Sequence, residues 1–269
     1  MLRPPHSRAL LLAFLTQTTR FHPDFVCQST APDREKALDI ARYYAEATRV
    51  QLGLDNITSP TLEKIQTLLL LGYHEWTDVT TNVNGFLKVR EAISSAQVLA
   101  LHHDESKDKD KDKKTRMAVN SCVGEKERSV EKQEFIDREI QRRTFWACFL
   151  MDRYLCWGKN RIQVLRVGED IETQLVCSDK AFNRGIKTKT RFLGERDDAY
   201  SHRIRGFQPT ISIIHHEERT RSGMQASADN VNHEVKWEVG KDEEALGWYI
   251  HLVDHLGAIL KWSCAGGRR

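Results

Sequence analysis

Arg138–Gly158 reads REIQRRTFWACFLMDRYLCWG, a dense apolar segment with charges at both ends. Its longest uncharged run, Thr144–Met151, is bounded by Arg143 and Asp152, whereas a membrane-spanning helix needs roughly 20 apolar residues. At helical period Ile140, Thr144, Ala147, Met151 and Tyr154 share one side, and Phe145, Cys148, Phe149 and Leu155 widen that side into a broad apolar face. The stretch therefore reads as a buried helix. Glu139 stands four residues before Arg143, the favourable order for a helical ion pair. Asp152 and Arg153, beside Met151 and Tyr154, must reach solvent or find partners, and a structural ion pair or solvent is the expectation.

Composition narrows the setting. The 269 residues carry 41 Lys and Arg against 38 Asp and Glu, a formal charge of +3, too balanced for a chain that coats nucleic acid. Six cysteines are scattered without any C-x-x-C, far below the density of a disulfide-stapled scaffold, so reduced thiols are expected. The N-terminal Leu10–Leu15 run is shorter than a signal-peptide core and no small-x-small site follows it; it reads as a core helix beginning at Ser7.

Three more helices are expected ahead of the opening stretch. PDREKALDIARYYAEATRVQLG places Asp33 at an N-terminus and Gly53 just past a C-terminus, with Leu38, Ala41, Ala45, Thr48 and Leu52 in register. SPTLEKIQTLLLLGYHEW opens with Ser59 as N-cap and Pro60 at the first helical position, with Leu62, Ile65 and Leu69 as its stripe. NGFLKVREAISSAQVLALH aligns Phe86, Val89, Ile93, Ala96 and Leu99 or Ala100. Residues 104–129 then alternate Lys with Asp and offer almost no apolar anchor, which predicts a disordered charged insert. Past Gly158 the signals weaken, and residues 186–240 read as irregular, with short clusters such as Ile211–Ile214. DEEALGWYIHLVDHLGAILKWS closes the chain as a helix, with Leu246, Tyr249, Ile250, Val253, Leu256 and Leu260 as the stripe. The terminal AGGRR reads as a cut in a domain that is incomplete at its C-terminus.

Chemistry-bearing patterns are sparse. His102-His103-Asp104-Glu105 has ligand-type residues, but consecutive positions point to different sides. His215–Arg219 matches H-E-x-x-H only in part, because Thr220 occupies the final position; RDDAYS, Arg196–Ser201, ends in Ser where a D-D-x-x-D metal motif needs an acid. The hydrolase, P-loop and dinucleotide fingerprints are absent. The residues alone thus describe an all-α chain with a charged insert.

Taken in order, SPTLEKIQTLLLLGYHEW, NGFLKVREAISSAQVLALHHDE, EIQRRTFWACFLMDRYLCWG, LVCSDKAFNRG and the closing helix resemble the fungal-specific transcription factor domain. This is the xylanolytic-activator-type regulatory, or middle homology, region of fungal binuclear zinc-cluster transcription factors. The resemblance makes Arg142, Arg143, Trp146, Phe149, Asp152 and Arg153 structural signatures of one helix, with no catalytic, cofactor-binding or metal residue in this chain. Ala100 stands where the family's L-G-L-H string has Gly, Val176 replaces the Pro of L-P-C, and Asn84 lacks the Trp usual before Gly85. The family's six-cysteine DNA-reading cluster is absent, so zinc is expected only in an N-terminal cluster outside this sequence.

The organisation implied is an all-α multi-helix regulatory domain. Residues 1–103 form its N-terminal helical part, 104–129 the insert, 130–185 the signature helix and following connection, 186–240 an irregular region, and 241–269 the last helix. The implied function is control of RNA polymerase II transcription from the nucleus, through the transcription machinery or co-regulators. DNA is reached only through the missing module, there is room for a small-molecule inducer and for a homodimer, and no membrane is involved. Against this stand an all-α enzyme with an unrecognised pocket, which the missing acid, nucleophile and ligand constellations disfavour, and a helical interaction scaffold.

Overall fold

The computed structural model describes residues 7–22, 31–54, 59–78, 81–103, 125–156, 162–168, 171–205 and 245–264. Their α-helices are α1 (Arg8–Thr18), α2 (Ala31–Leu54), α3 (Leu62–Trp76), α4 (Asn82–Val98), α5 (Glu125–Leu155), α6 (Asp179–Arg184), α7 (Asp197–Ile204) and α8 (Ala245–Cys264). A 3-10 turn, Thr19–Phe21, follows α1. Among the described residues there is no strand, only isolated bridges between His103 and Glu172 and between Gln174 and Phe192. The all-α expectation holds.

The chain divides into two units, Met1–Leu101 with Ala147–Val164, and His102–Trp146 with Leu165–Arg269, so α5 contributes to both.

In the first unit α1 starts where its cap allows. The Ser7 hydroxyl accepts from Leu10 N at 3.2 Å, while Ser7 N donates to Glu63 Oε2 at 3.1 Å and ties this end to α3. At the other end Gln17 Nε2 donates to Leu70 O at 2.8 Å. Small residues face one another where α1 packs on α2: Ala9 and Ala13 from the first, Ala37, Ala41 and Ala45 from the second, all buried.

The tightest crossing is α3 against α4. A Cβ at Gly85 would lie 2.5 Å from Trp76 N and 2.6 Å from Gly72 O, both backbone atoms. The two helices therefore meet backbone to backbone, and Ile65, Leu68, Leu71, Val89, Ala92 and Ile93 fill the space beside that contact.

Helix ends depart from expectation. α3 is capped by Thr61, whose hydroxyl accepts from Lys64 N at 3.2 Å, so Ser59 and Pro60 precede the helix. α2 continues through Gly53 to Leu54; a Cβ there would meet nothing within 4 Å, and the glycine marks no close approach. α4 ends at Val98 with Leu99 as its C-cap, so the stripe expected to reach Leu99 or Ala100 stops at Ala96, and Ala100 adopts a positive φ of 53°.

In the second unit α5 already runs from Glu125, inside the stretch expected to be a loop; residues 104–124 lie outside the described residues. Phe135, Cys177 and Ala181 form a small core with Ile136, Phe182 and Ile186. The connection 173–178 is buried throughout and hydrogen-bonded rather than loose. Leu175 N donates to Arg191 O at 2.7 Å, Thr190 N to Gln174 Oε1 at 3.0 Å, and the Thr190 hydroxyl to Leu175 O. Residues 186–205, expected to be irregular, carry α7. Arg203 holds it by donating to Thr190 O and to both Glu195 oxygens, and the Tyr200 hydroxyl donates to Lys189 O at 2.8 Å. Ile211–Ile214 and His215–Arg219 lie outside the described residues.

Candidate functional site

The candidate site is the signature string of α5 and the groups that satisfy it. A carboxylate removed from water must be paired, because leaving the charge alone costs several kcal/mol. Two such carboxylates, both fully buried, punctuate α5.

Glu139 belongs to the second unit. It accepts from Arg142 Nη1 at 2.6 Å, Arg143 Nε at 3.2 Å and Cys177 N at 2.9 Å. Arg143 then reaches beyond it, donating to Asp179 Oδ1 at 2.7 Å and Cys177 O at 3.0 Å, with its guanidinium 4.5 Å from the Phe182 ring centroid. Burial opposes the Arg143 charge, and Asp179 and Glu139 more than offset it, so its pKa moves up. One turn further, Trp146 buries its ring and donates Nε1–H to Gln174 O at 2.8 Å. Glu139, Arg143 and Trp146 thus pin the 174–179 connection to the helix.

Asp152 belongs to the first unit. Arg90 Nη1 donates to it at 2.8 Å, Arg153 Nη1 at 3.0 Å, and Val164 N at 3.1 Å. Arg90 also donates to Ile162 O at 2.5 Å, and Arg153 lies 4.1 Å from the Phe149 ring centroid. The alternative of solvent is thereby decided: Asp152 and Arg153 are buried and paired. A third fully buried carboxylate, Glu75 on α3, takes Arg49 Nε at 2.7 Å and Lys88 Nζ at 3.0 Å.

The sequence reading missed Glu75, Arg49, Lys88 and Arg90, and undervalued Glu139. One signal was available. Phe135, Glu139, Arg142, Trp146, Phe149 and Arg153 recur at four- and three-residue steps, and all six are buried. Charges at helical spacing within an apolar row are the mark of buried pairs.

Other predicted groups do not converge on chemistry. The His102 and His103 rings lie with centroids 3.9 Å apart, tilted 46° to one another, and His103 Nδ1 lies 3.7 Å from Glu172 Oε2; Asp104 and Glu105 lie outside the described residues. Arg196 is the N-cap residue of α7, and Tyr200 is buried in the packing behind it. His251 and His255 share a face of α8, a spacing the sequence reading did not weigh; burial, then the neighbouring His255, lowers the His251 pKa. Among the described residues no three His, Cys, Asp or Glu side chains could hold a metal ion, and Cys148, Cys156 and Cys177 are free thiols. Burial pushes the thiols of Cys148 and Cys177 up to about 12, which keeps them protonated and unreactive. These residues do not fit a binuclear zinc cluster. No helix among the described residues is long and apolar enough to cross a membrane.

Comparison with known proteins agrees with the placement of the string. The profile of the fungal specific transcription factor domain matches residues 3–230, which includes α1 to α7 and both carboxylate clusters. The chain belongs to the fungal specific transcription factor domain family. This family member is 33% identical over 187 residues to the Zn(2)-C6 fungal-type transcription factor FTF1c of Fusarium oxysporum, covering 70% of this chain and 18% of that protein. It is 32% identical over 155 residues to an uncharacterized transcriptional regulatory protein of Schizosaccharomyces pombe, covering 58% of this chain and 14% of the relative. With the Fusarium factor FTF2 it shares 35% identity over 107 residues, 40% of this chain and 9% of that one. The chain therefore spans under a fifth of the length of these relatives. No solved structure matches it.

Proposed function

We propose that this chain is the regulatory domain of a fungal transcription factor that acts in the nucleus. It controls RNA polymerase II transcription through contacts with co-regulators or the transcription machinery, and a small-molecule inducer bound between helices biases those contacts. DNA is read by a zinc cluster outside this sequence, and the domain itself is not an enzyme.

The observation that carries this reading is the use made of α5. Its signature charges are all engaged with arginines and backbone groups: Glu139 with Arg142, Arg143 and Cys177, and Asp152 with Arg90, Arg153 and Val164. Carboxylates so paired set the position of segments, each tying its helix to arginines and to a distant backbone N–H. A helix built in this way is a scaffold, and a scaffold suits a regulatory domain, the relatives being named a transcription factor and a transcriptional regulatory protein.

The test is a reporter assay in yeast. The chain is placed between a heterologous DNA-binding module and an activation region, and output is compared with the same fusion lacking it. A several-fold change that is lost in Asp152→Ala, at equal protein level, is expected. Equal output with and without the domain would overturn the reading.

A further inference from the structure

α8 carries two apolar faces. Gly247, Ile250, Val253 and Gly257 are buried. A second row, Ala245, Trp248, Leu252, His255, Ile259 and Trp262, is exposed along its whole length. Within it Trp248 is 65%, Leu252 64%, Ile259 60% and Trp262 63% exposed, so four large apolar side chains stand in solvent on one helix. The steps along this row alternate three, four, three, four, three, the spacing of a coiled-coil seam.

We infer that this face is an interface between two copies of the chain, paired antiparallel through α8. The row is self-complementary about His255. Trp248 and Trp262 stand seven residues to either side, and Leu252 and Ile259 three and four residues away. An antiparallel pair centred on His255 sets each Trp248 beside the partner's Trp262 at both ends of the seam, about 10 Å from the centre. It encloses Leu252 and Ile259 between them, and it opposes the two helix dipoles favourably. A single polar residue within an otherwise apolar seam is the device that selects one register at some loss of affinity, and His255 occupies that place.

The area is sufficient. At the areas aromatic side chains present, the uncovered parts of the two tryptophans amount to about 300 Å² per copy. Leu252 and Ile259 bring the row to about 500 Å², the upper range of patches that monomers expose. Two copies then bury about 1,000 Å² from these side chains alone, the size at which specific interfaces begin. The inference stands on α8 and is independent of the regulatory reading.

Sedimentation velocity on the whole chain, across a micromolar concentration series, tests it with two variants whose helical content is matched to the parent by circular dichroism. The parent is expected to be a reversible dimer. Leu252→Glu, at an exposed position, should weaken it at least about tenfold, and His255→Leu should tighten it several-fold, because a polar side chain leaves the seam. A monomer at every concentration would overturn the proposal, as would a dimer that neither variant moves. A monomeric parent that instead binds an added amphipathic helical peptide would assign the face to a heterologous helix and also overturn it.

Discussion

Ala100→Gly is expected to stabilise the chain, although glycine ordinarily weakens a fold. Ala100 is the only non-glycine with positive φ among the described residues, at 53°. It occupies the turn that ends α4: Ala100 N donates to Gln97 O at 2.9 Å and Leu101 N to Ala96 O at 3.0 Å, the paired bonds of a Schellman cap. A Cβ in the left-handed region costs about 1–2 kcal/mol. Removing it returns that energy, less the ~0.5–1 kcal/mol of extra freedom glycine gains in the unfolded chain. Ala100 is exposed, so the lost methyl forfeits no packing. The net gain is about 0.5–1 kcal/mol. In a urea titration followed by helical circular dichroism, the midpoint should rise by roughly 0.4 M with the slope unchanged. Gly185 supplies the converse, since the same pair of bonds closes α6 there with a natural glycine at φ 64°, Gly185 N to Phe182 O and Ile186 N to Ala181 O. Gly185→Ala should lose stability, and its Cβ would also meet the Lys132 side chain at 2.3 Å. A midpoint for Ala100→Gly at or below the parent's would refute the reasoning.

Gly85→Ala should destabilise the first unit by about 1–3 kcal/mol or more, because the new methyl meets backbone on α3 that cannot rotate away; a thermal melt reads the loss. Trp146→Ala should cost about 3–5 kcal/mol as a buried aromatic truncation, and near-ultraviolet circular dichroism should report the loosened connection at Gln174. Asp152→Ala strands Arg153 and the inner end of Arg90, so a loss of about 3–5 kcal/mol is expected, comparable to Trp146→Ala; a near-neutral result would show that the pair is solvated. Cys148 and Cys177 give a pH dependence. Their folded thiols titrate at about 12 against an ordinary 9.0, so between those values the unfolded chain has released protons that the folded chain retains. Stability should therefore fall as pH rises from about 9 toward 12, and Cys148→Ala with Cys177→Ala should flatten that alkaline slope.

The sequence by itself determined that the chain is helical and where most helices lie, because that information is local. Ser7 caps α1 as its hydroxyl and the following apolar period require, and α3, α4, α5 and α8 each carry a helical repeat several turns long. The ends were less legible. Ser59, Pro60 and Thr61 are all acceptable near a helix start, and only the completed geometry, with Thr61 receiving Lys64 N, selects one of them. The family string was likewise legible as a string, while its role was not. Along the helix, Glu139 and Arg143 look like an exposed pair of small effect. Burial changes that, since the groups completing each cluster are distant in sequence: Cys177 is 38 residues from Glu139, and Arg90 is 62 residues from Asp152. α8 shows the same limit from the apolar side. Leu246, Tyr249, Ile250, Val253, Leu256 and Leu260 formed a plausible stripe, yet of these only Ile250 and Val253 are buried, alongside Gly247 and Gly257. A helix apolar around most of its circumference has no unique inward face in its own period. Which residues leave water is decided by what packs against it, and that belongs to the tertiary structure.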